Sequence, residues 1–202
     1  MMILRSSPPS PFGRTVKLAI AVLGLKDKIE IVQADTNDPN DSLRSQNPLG
    51  KIPALILENG KVIFDSRVIL DYLDGLAGGG KIITKSGDAR FDVLVTLALA
   101  NGLMEAALLQ VYEGRYRDAD KHEPKWLAMQ VGKVERALAV LEASPPAIAD
   151  TPDAGAIGVA CGLGYLDLRF GGKWRADHPR LVKWLDAFAA KVPAFEETRV
   201  KT

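Results

Sequence analysis

The sequence predicts an α/β domain followed by an all-α domain, and three observations support this. Over residues 1–76, short β-type patterns alternate with helical apolar spacing. A glycine-rich break follows from Ala77 to Lys81. From Asp88 onward every apolar pattern is helical. We therefore predict a first domain over residues 1–77, a linker over 78–87 and a helical-bundle second domain over 88–202.

The first domain is predicted to have the order βαβ, a loop or weak helix, and then ββα. Helical apolar spacing ends at Gly24, a residue type that often terminates helices. Asn59-Gly60, between two apolar runs, is a strong hairpin signal. This order places helices on both sides of a small mixed sheet. The predicted elements are strands at 3–4 and 29–32, helices at 16–23 and 68–76, a loop or weak helix at 35–46, and a hairpin at 54–64.

The second domain is predicted to consist of helices alone. The first helix has a wide apolar face that runs from Phe91 to Tyr112. Pro145 and Pro146 end the second helix. The third is nearly all apolar and rich in small residues, which favours the centre of a bundle. The predicted helices span residues 88–116, 123–143, 156–168 and 179–190.

Composition and charge argue against several classes of function. The chain has 202 residues, of which 47% are hydrophobic and 25% charged, and its net charge is +1. Neither nucleic acid nor an anionic membrane is therefore an expected partner. No uninterrupted apolar run reaches the roughly 18 residues that a membrane span needs. Cys161 is the single cysteine, so the chain forms no internal disulfide and the cytoplasm is expected. With His122 and His178 as the only histidines, no metal site is expected.

The most informative segment is residues 47–66. Pro53 stands at the head of a predicted strand and cannot donate to the sheet, which leaves the main chain just before it open to another extended chain. The hairpin that follows delivers Asp65 and Ser66, a carboxylate and a hydroxyl, to the start of a helix. An open backbone beside such a pair predicts a site that holds a peptide.

A second candidate lies between the first strand and the first helix. Ser10 followed by Pro11 reads as an N-cap and the first helical position, and a helix cap alone would explain both. The same position favours an anion, because free N–H groups and the helix dipole point toward it. Lowering a thiol pKa by roughly two units requires about 2.7 kcal/mol. One hydrogen bond to a charged group supplies about 1.5–3 kcal/mol, so a single serine could stabilise a thiolate without a general base.

Together these segments resemble the cytosolic glutathione S-transferases, and the resemblance covers essentially the whole chain. It implies a thioredoxin-like first domain and an all-helical second domain. Residues 97–116 are most similar to a bacterial branch of that superfamily. The motifs that carry the resemblance are Asn-Pro-Leu-Gly-Lys-Ile-Pro at 47–53, Asp65-Ser66, Ser10-Pro11-Phe12 and residues 162–170.

The resemblance implies a role for individual residues in binding glutathione. Ile52, before a cis Pro53, would pair through its main chain with the cysteinyl unit. Ser10 would face the sulfur, although Ser7 in the same loop is an alternative. Lys51 would approach the glycyl carboxylate, or it is simply a solvated loop lysine. The implied glutathione-binding residues are Lys51, Ile52, Pro53, Asp65 and Ser66.

An electrophile pocket is expected opposite the sulfur. Tyr112 and Tyr116 are four residues apart and share a helix face near Arg115, although core or interface packing would explain them equally. Cys161 lies on an apolar helix and is expected in the core, so mixed-disulfide chemistry on the protein is not expected. The predicted pocket residues are Phe12, Leu108, Tyr112 and Tyr116.

The leading hypothesis is a cytoplasmic, homodimeric glutathione transferase that acts in detoxification. It would use glutathione as co-substrate, with no metal, and present the thiol to a small apolar electrophile. One alternative is a non-catalytic member that binds glutathione or another protein, since a fold does not fix a function. Another is a glutathione-dependent disulfide or peroxide reductase that works without a protein cysteine.

Overall fold

The computed structural model describes residues 1–200 and begins with a four-stranded mixed sheet. The strands are β1 Met2–Ser6, β2 Ile29–Gln33, β3 Ala54–Ile56 and β4 Val62–Phe64. The strand order is β2-β1-β3-β4, in which β1 and β2 are parallel and the other two pairings are antiparallel. Leu4 and Leu55, opposite each other on β1 and β3, are fully buried, so the sheet centre is also the core of this domain.

Three helices belong to the same domain, and the complete arrangement is a thioredoxin-like fold, as predicted. The short helix at 43–46 lies within the segment predicted as a loop or weak helix. The peptide bond between Ile52 and Pro53 is cis, as the resemblance implied. The helices are α1 Pro11–Val22, α2 Leu43–Gln46 and α3 Ser66–Leu76, and a 3₁₀ turn occupies Lys26–Lys28.

The connection between the domains is held in place by hydrogen bonds to one carboxylate. Asp74, which is 4% exposed, accepts from the backbone N–H groups of Gly80, Lys81 and Ile82 at 2.6, 2.9 and 2.8 Å. The Ile82 carbonyl in turn accepts from Ala154 N–H at 2.8 Å. Glycine-rich composition predicted a linker, and these bonds fix that linker to Asp74 of the first domain and to Ala154 of the second.

The second domain is a helical bundle, as predicted. The helices are α4 Asp88–Tyr116, α5 Pro124–Ala143, α6 Ala154–Phe170, α7 Pro179–Lys191 and α8 Ala194–Glu197, with 3₁₀ turns at Ala119–Lys121 and Lys173–Ala176. Helix α4 is long and apolar enough to cross a membrane by length and composition alone. Part of its apolar surface packs against α5 and α6, whereas Phe91 and Val95 are exposed.

Candidate functional site

A cavity of about 640 Å³ lies between the two domains and contains most of the predicted site residues. One wall comes from the first domain: the loop before α1, the segment before β3 and the start of α3. The other wall comes from α4 and α6 of the second domain. The predicted residues that line it are Ser7, Ser10, Phe12, Lys51, Ile52, Pro53, Asp65, Ser66, Leu108 and Tyr112.

Ser10 is the N-cap of α1 and lies at the cavity wall. Its Oγ accepts a hydrogen bond of 3.0 Å from the Gly13 N–H, and Pro11 follows at the first helical position. That bond uses a lone pair of the hydroxyl oxygen, so the hydroxyl proton stays available for donation. Ser10 can therefore cap the helix and donate to an anion at the same time.

The segment before β3 presents main-chain groups to the cavity. Asn47 shapes this segment, because its Nδ2 donates to the Lys51 carbonyl at 2.8 Å and its Oδ1 accepts from Leu49 N–H at 3.1 Å. Within residues 1–200, the N–H and C=O of Ile52 make no backbone hydrogen bond. An extended peptide in the cavity could pair with both groups.

Asp65 caps α3 with a backbone that few residues adopt, since its φ is 71°. Its Oδ1 accepts from Arg67 N–H at 2.9 Å, and the Arg67 guanidinium contacts both carboxylate oxygens at 3.0 and 2.8 Å. The pKa of Asp65 is lowered mainly by hydrogen bonds from the Arg67 side chain. The carboxylate is thus charged and already engaged, while the buried Ser66 begins the helix beside it.

On the second-domain wall, several polar groups have no partner in the protein. Asn101 is 5% exposed and neither its Oδ1 nor its Nδ2 is hydrogen-bonded. The hydroxyl of Tyr165, which is 3% exposed, and the Nε of Arg169 are also unpartnered. All three side chains line the cavity. Burial raises the pKa of the Tyr165 phenol, and the nearby positive charge of Arg169 opposes that rise.

The predicted electrophile residues divide into two groups. Phe12, Leu108 and Tyr112 line the cavity, whereas Tyr116 does not. Tyr116 packs edge-on against Tyr112, with ring centroids 5.2 Å apart, and its hydroxyl donates to Asn37 Oδ1 at 2.9 Å. It therefore joins the end of α4 to the first domain instead of lining the cavity.

Sequence reasoning missed several residues of this cavity. Tyr165 and Arg169 stand one turn apart on the mostly apolar α6, and their polarity was the available signal. Asn101 is a polar residue on the buried face of α4, which gives a similar signal. Arg67 directly follows the predicted pair, but nothing in its position indicated that it would bind Asp65.

Cys161 is fully buried on α6, and burial raises the pKa of its thiol. Its place in the core agrees with the sequence prediction. Among residues 1–200, no group of three or more His, Cys, Asp or Glu side chains is placed to hold a metal ion.

Comparison with known proteins identifies the family. The model of the glutathione S-transferase N-terminal domain matches residues 9–76, and that of the C-terminal domain matches residues 124–187. The uncharacterised GST-like protein YibF of Escherichia coli K12 is 32% identical over 189 residues, which cover 92% of each chain.

Solved structures agree. A glutathione transferase family member from Pseudomonas fluorescens Pf-5 with bound glutathione is 40% identical over the full length of both chains, with a TM-score of 0.91. The same target with bound S-(propanoic acid)-glutathione gives the same identity and coverage and a TM-score of 0.86. The chain therefore belongs to the glutathione S-transferase family.

Proposed function

We propose that this chain is a glutathione transferase, in which Ser10 stabilises the thiolate of glutathione for attack on a small electrophile. The observation that carries the proposal is the placement of Ser10. Its hydroxyl keeps a free proton at the start of α1, in the cavity that also holds the open main chain of Ile52. The Ser10 hydroxyl and the open main chain of Ile52 together suit a short peptide that bears a thiol.

The chemistry requires little more than this hydroxyl. A thiol of pKa about 8.5 is only a few per cent ionised at neutral pH. The Ser10 O–H donates to the sulfur of the thiolate, and the thiol proton leaves to solvent. The sulfur electron pair then forms a bond to the electrophilic carbon, and the leaving group departs with its bonding pair. A hydrogen bond to the charged sulfur contributes about 1.5–3 kcal/mol, which corresponds to one or two pKa units.

The remaining predicted residues would hold the ends of the tripeptide. We assign the γ-glutamyl group to Ser66 and to the Asp65–Arg67 pair, which offers both charges at the start of α3. The glycyl carboxylate is assigned to Lys51, whose exposed side chain lies at the cavity edge. The conjugate bound to the P. fluorescens protein supports a cavity with room for a substituent on the sulfur.

We also propose that the enzyme is a homodimer that works in the cytoplasm in detoxification. Phe91 and Val95, one turn apart on α4, are 64% and 66% exposed, an unusual exposure for large apolar side chains on one face. The first domain of each copy would lie against the second domain of the other. The cytoplasm is the compartment in which glutathione keeps thiols reduced.

The decisive experiment compares wild type with Ser10→Ala in the conjugation of glutathione to chlorodinitrobenzene. We expect kcat/KM to fall roughly 10- to 100-fold, because one charge-assisted hydrogen bond is lost. Glutathione affinity, measured by calorimetry, should change little. Ser7→Ala is the matched control and should keep most of the activity.

Other results would favour the alternatives. Glutathione binding without conjugation in the wild type would indicate a non-catalytic member. Turnover of a mixed disulfide or a hydroperoxide, with none on halogenated aromatics, would indicate a reductase that uses two glutathione molecules. A larger loss in Ser7→Ala than in Ser10→Ala would transfer the thiolate role to Ser7.

A further inference from the structure

The unpartnered polar atoms of this protein are concentrated at one place. Within residues 1–200, six buried side-chain nitrogen or oxygen atoms have no hydrogen-bond partner, and four of them belong to Asn101, Tyr165 and Arg169. A buried polar group without a partner destabilises a protein substantially. Scattered examples are ordinary, but a cluster that lines one wall of a cavity points to a ligand.

The cluster is built on rigid elements. Tyr165 and Arg169 are four residues apart on α6, and the Arg169 guanidinium lies over the Tyr165 ring at 5.8 Å from its centroid. Asn101 is on α4, which packs directly against α6. The groups are therefore held in position before any ligand arrives.

The chemistry of these groups favours an acceptor. The Nδ2 of Asn101 offers two N–H donors, the Tyr165 hydroxyl offers one and Arg169 offers donors only, so the unpartnered donors outnumber the single atom that can only accept, Asn101 Oδ1. Because burial raises its pKa, Tyr165 keeps its proton at neutral pH and remains a donor.

The charges of the cavity point the same way. On the first-domain side Asp65 is paired with Arg67, and the carboxylate of Glu105 on α4 also acts on the Arg67 charge. Within the described residues 1–200, neither Arg115 nor Arg169 forms an ion pair with a carboxylate. The second-domain wall thus carries two arginines, Arg115 and Arg169, against one carboxylate, Glu105, and has an excess of positive charge.

We propose that the electrophile carries a carboxylate, and that Asn101, Tyr165 and Arg169 bind it. This inference rests on the proposed transferase function and narrows its substrate class. The reacting carbon would meet the sulfur near Ser10 and Phe12, while the carboxylate would occupy the cluster on α4 and α6. A carboxylate accepts several hydrogen bonds at once and would balance the excess positive charge of the second-domain wall.

The test measures binding, so that it does not depend on turnover. Calorimetry compares glutathione, S-carboxyethyl-glutathione and S-carbamoylethyl-glutathione on the wild-type protein. The two conjugates have the same length and differ only in a carboxylate against an amide. We expect the carboxylate conjugate to bind at least about tenfold more tightly than the amide conjugate, as one charge-assisted hydrogen bond would produce.

Variants of the cluster residues test whether they cause the preference for the carboxylate conjugate. Tyr165→Phe and Arg169→Gln should each reduce the preference for the carboxylate to within about threefold while leaving glutathione affinity unchanged. If one of them does not fold, the other still tests the cluster. Tyr72→Phe and Arg180→Gln are matched controls because neither residue lines the cavity, and both should keep the full preference.

Two outcomes would overturn the inference while leaving the proposed function intact. The first is equal affinity for both conjugates. The second is a variant that weakens both conjugates equally, which would mean that the cluster serves the sulfur and not a carboxylate. If the wild type binds no glutathione compound at millimolar concentration, the proposed function itself fails.

Discussion

Asn47 and Asn101 are the same residue type on opposite walls of one cavity, and they behave differently. Asn47 is 1% exposed, and both ends of its amide are bonded to the backbone of its own loop. Asn101 is 5% exposed, and neither end has a partner. The amide of Asn47 thus stabilises the first-domain wall through hydrogen bonds within the protein. The amide of Asn101 on the second-domain wall has none and is left for a ligand in the cavity.

The two kinds of polar residue should therefore affect protein stability and ligand binding differently when they are substituted. A polar residue that is bonded within the wall supports both the fold and the ligand, so that its loss reduces both. A polar residue without a partner costs the fold free energy, so that its removal harms binding alone. Substitutions on the two walls should therefore have opposite effects on the free energy of unfolding.

The largest effect is expected for Asn47→Ala. The substitution leaves the Lys51 carbonyl and the Leu49 N–H without partners, and should lower the free energy of unfolding by about 2–4 kcal/mol. Glutathione affinity should fall as well, because the segment that presents Ile52 loses its support. Chemical denaturation and calorimetry measure the two effects. An unchanged unfolding midpoint would show that the loop does not depend on this amide.

Asp65→Ala should have a smaller effect of the same sign. It removes the N-cap of α3 and the partner of Arg67, and we expect a loss of about 1–2 kcal/mol in unfolding free energy. Asp65→Asn is the matched control, because an amide oxygen can still cap the helix and asparagine tolerates positive φ. If Asn restores stability but not glutathione affinity, the carboxylate charge serves the ligand.

Asn101→Leu should change stability in the opposite direction. The substitution replaces an unpartnered buried amide with an apolar group of similar size, and should raise the free energy of unfolding by about 1 kcal/mol. Affinity for glutathione should stay the same while the preference for a carboxylate conjugate weakens. A clear destabilisation would contradict the contrast between the walls.

The smallest effect is expected with pH. Because the pKa of Tyr165 is raised by burial, this phenol keeps its proton at and above the pH at which a free tyrosine, of pKa about 10, would lose it. The preference for the carboxylate conjugate should therefore stay constant from pH 7 to about 9.5. Titration by calorimetry in two buffers checks this. A steady fall across that range would mean that Tyr165 ionises early and does not act as the donor.

The features that could be predicted from sequence are local ones. The hairpin at Asn59-Gly60 and the caps Ser10 and Asp65 depend on patterns a few residues long, so the sequence indicates them directly. The long helices of the second domain follow from their apolar periodicity in the same way.

The rest depends on contacts between distant segments. Asp74 looks like an ordinary acidic residue on a helix until the glycine loop folds back onto it. The wall formed by Asn101 and Tyr165 exists only because α4 packs against α6. Tyr116 shares a helix face with Tyr112, but its hydroxyl is bonded to Asn37 of the first domain and its side chain does not line the cavity. Helical periodicity predicts which residues share a face of α4, but it does not predict which residues of that face line the cavity and which contact the first domain.

The burial of Cys161 should make the protein resistant to inactivation by thiol-modifying reagents. The thiol is fully buried where α6 packs against α1, and burial raises its pKa, so it is a poor target for reagents that react with exposed thiolates. Under the proposed activity, the reactive sulfur always belongs to a diffusible tripeptide that leaves with its product. The catalyst would therefore survive repeated encounters with alkylating compounds that inactivate enzymes with exposed cysteines.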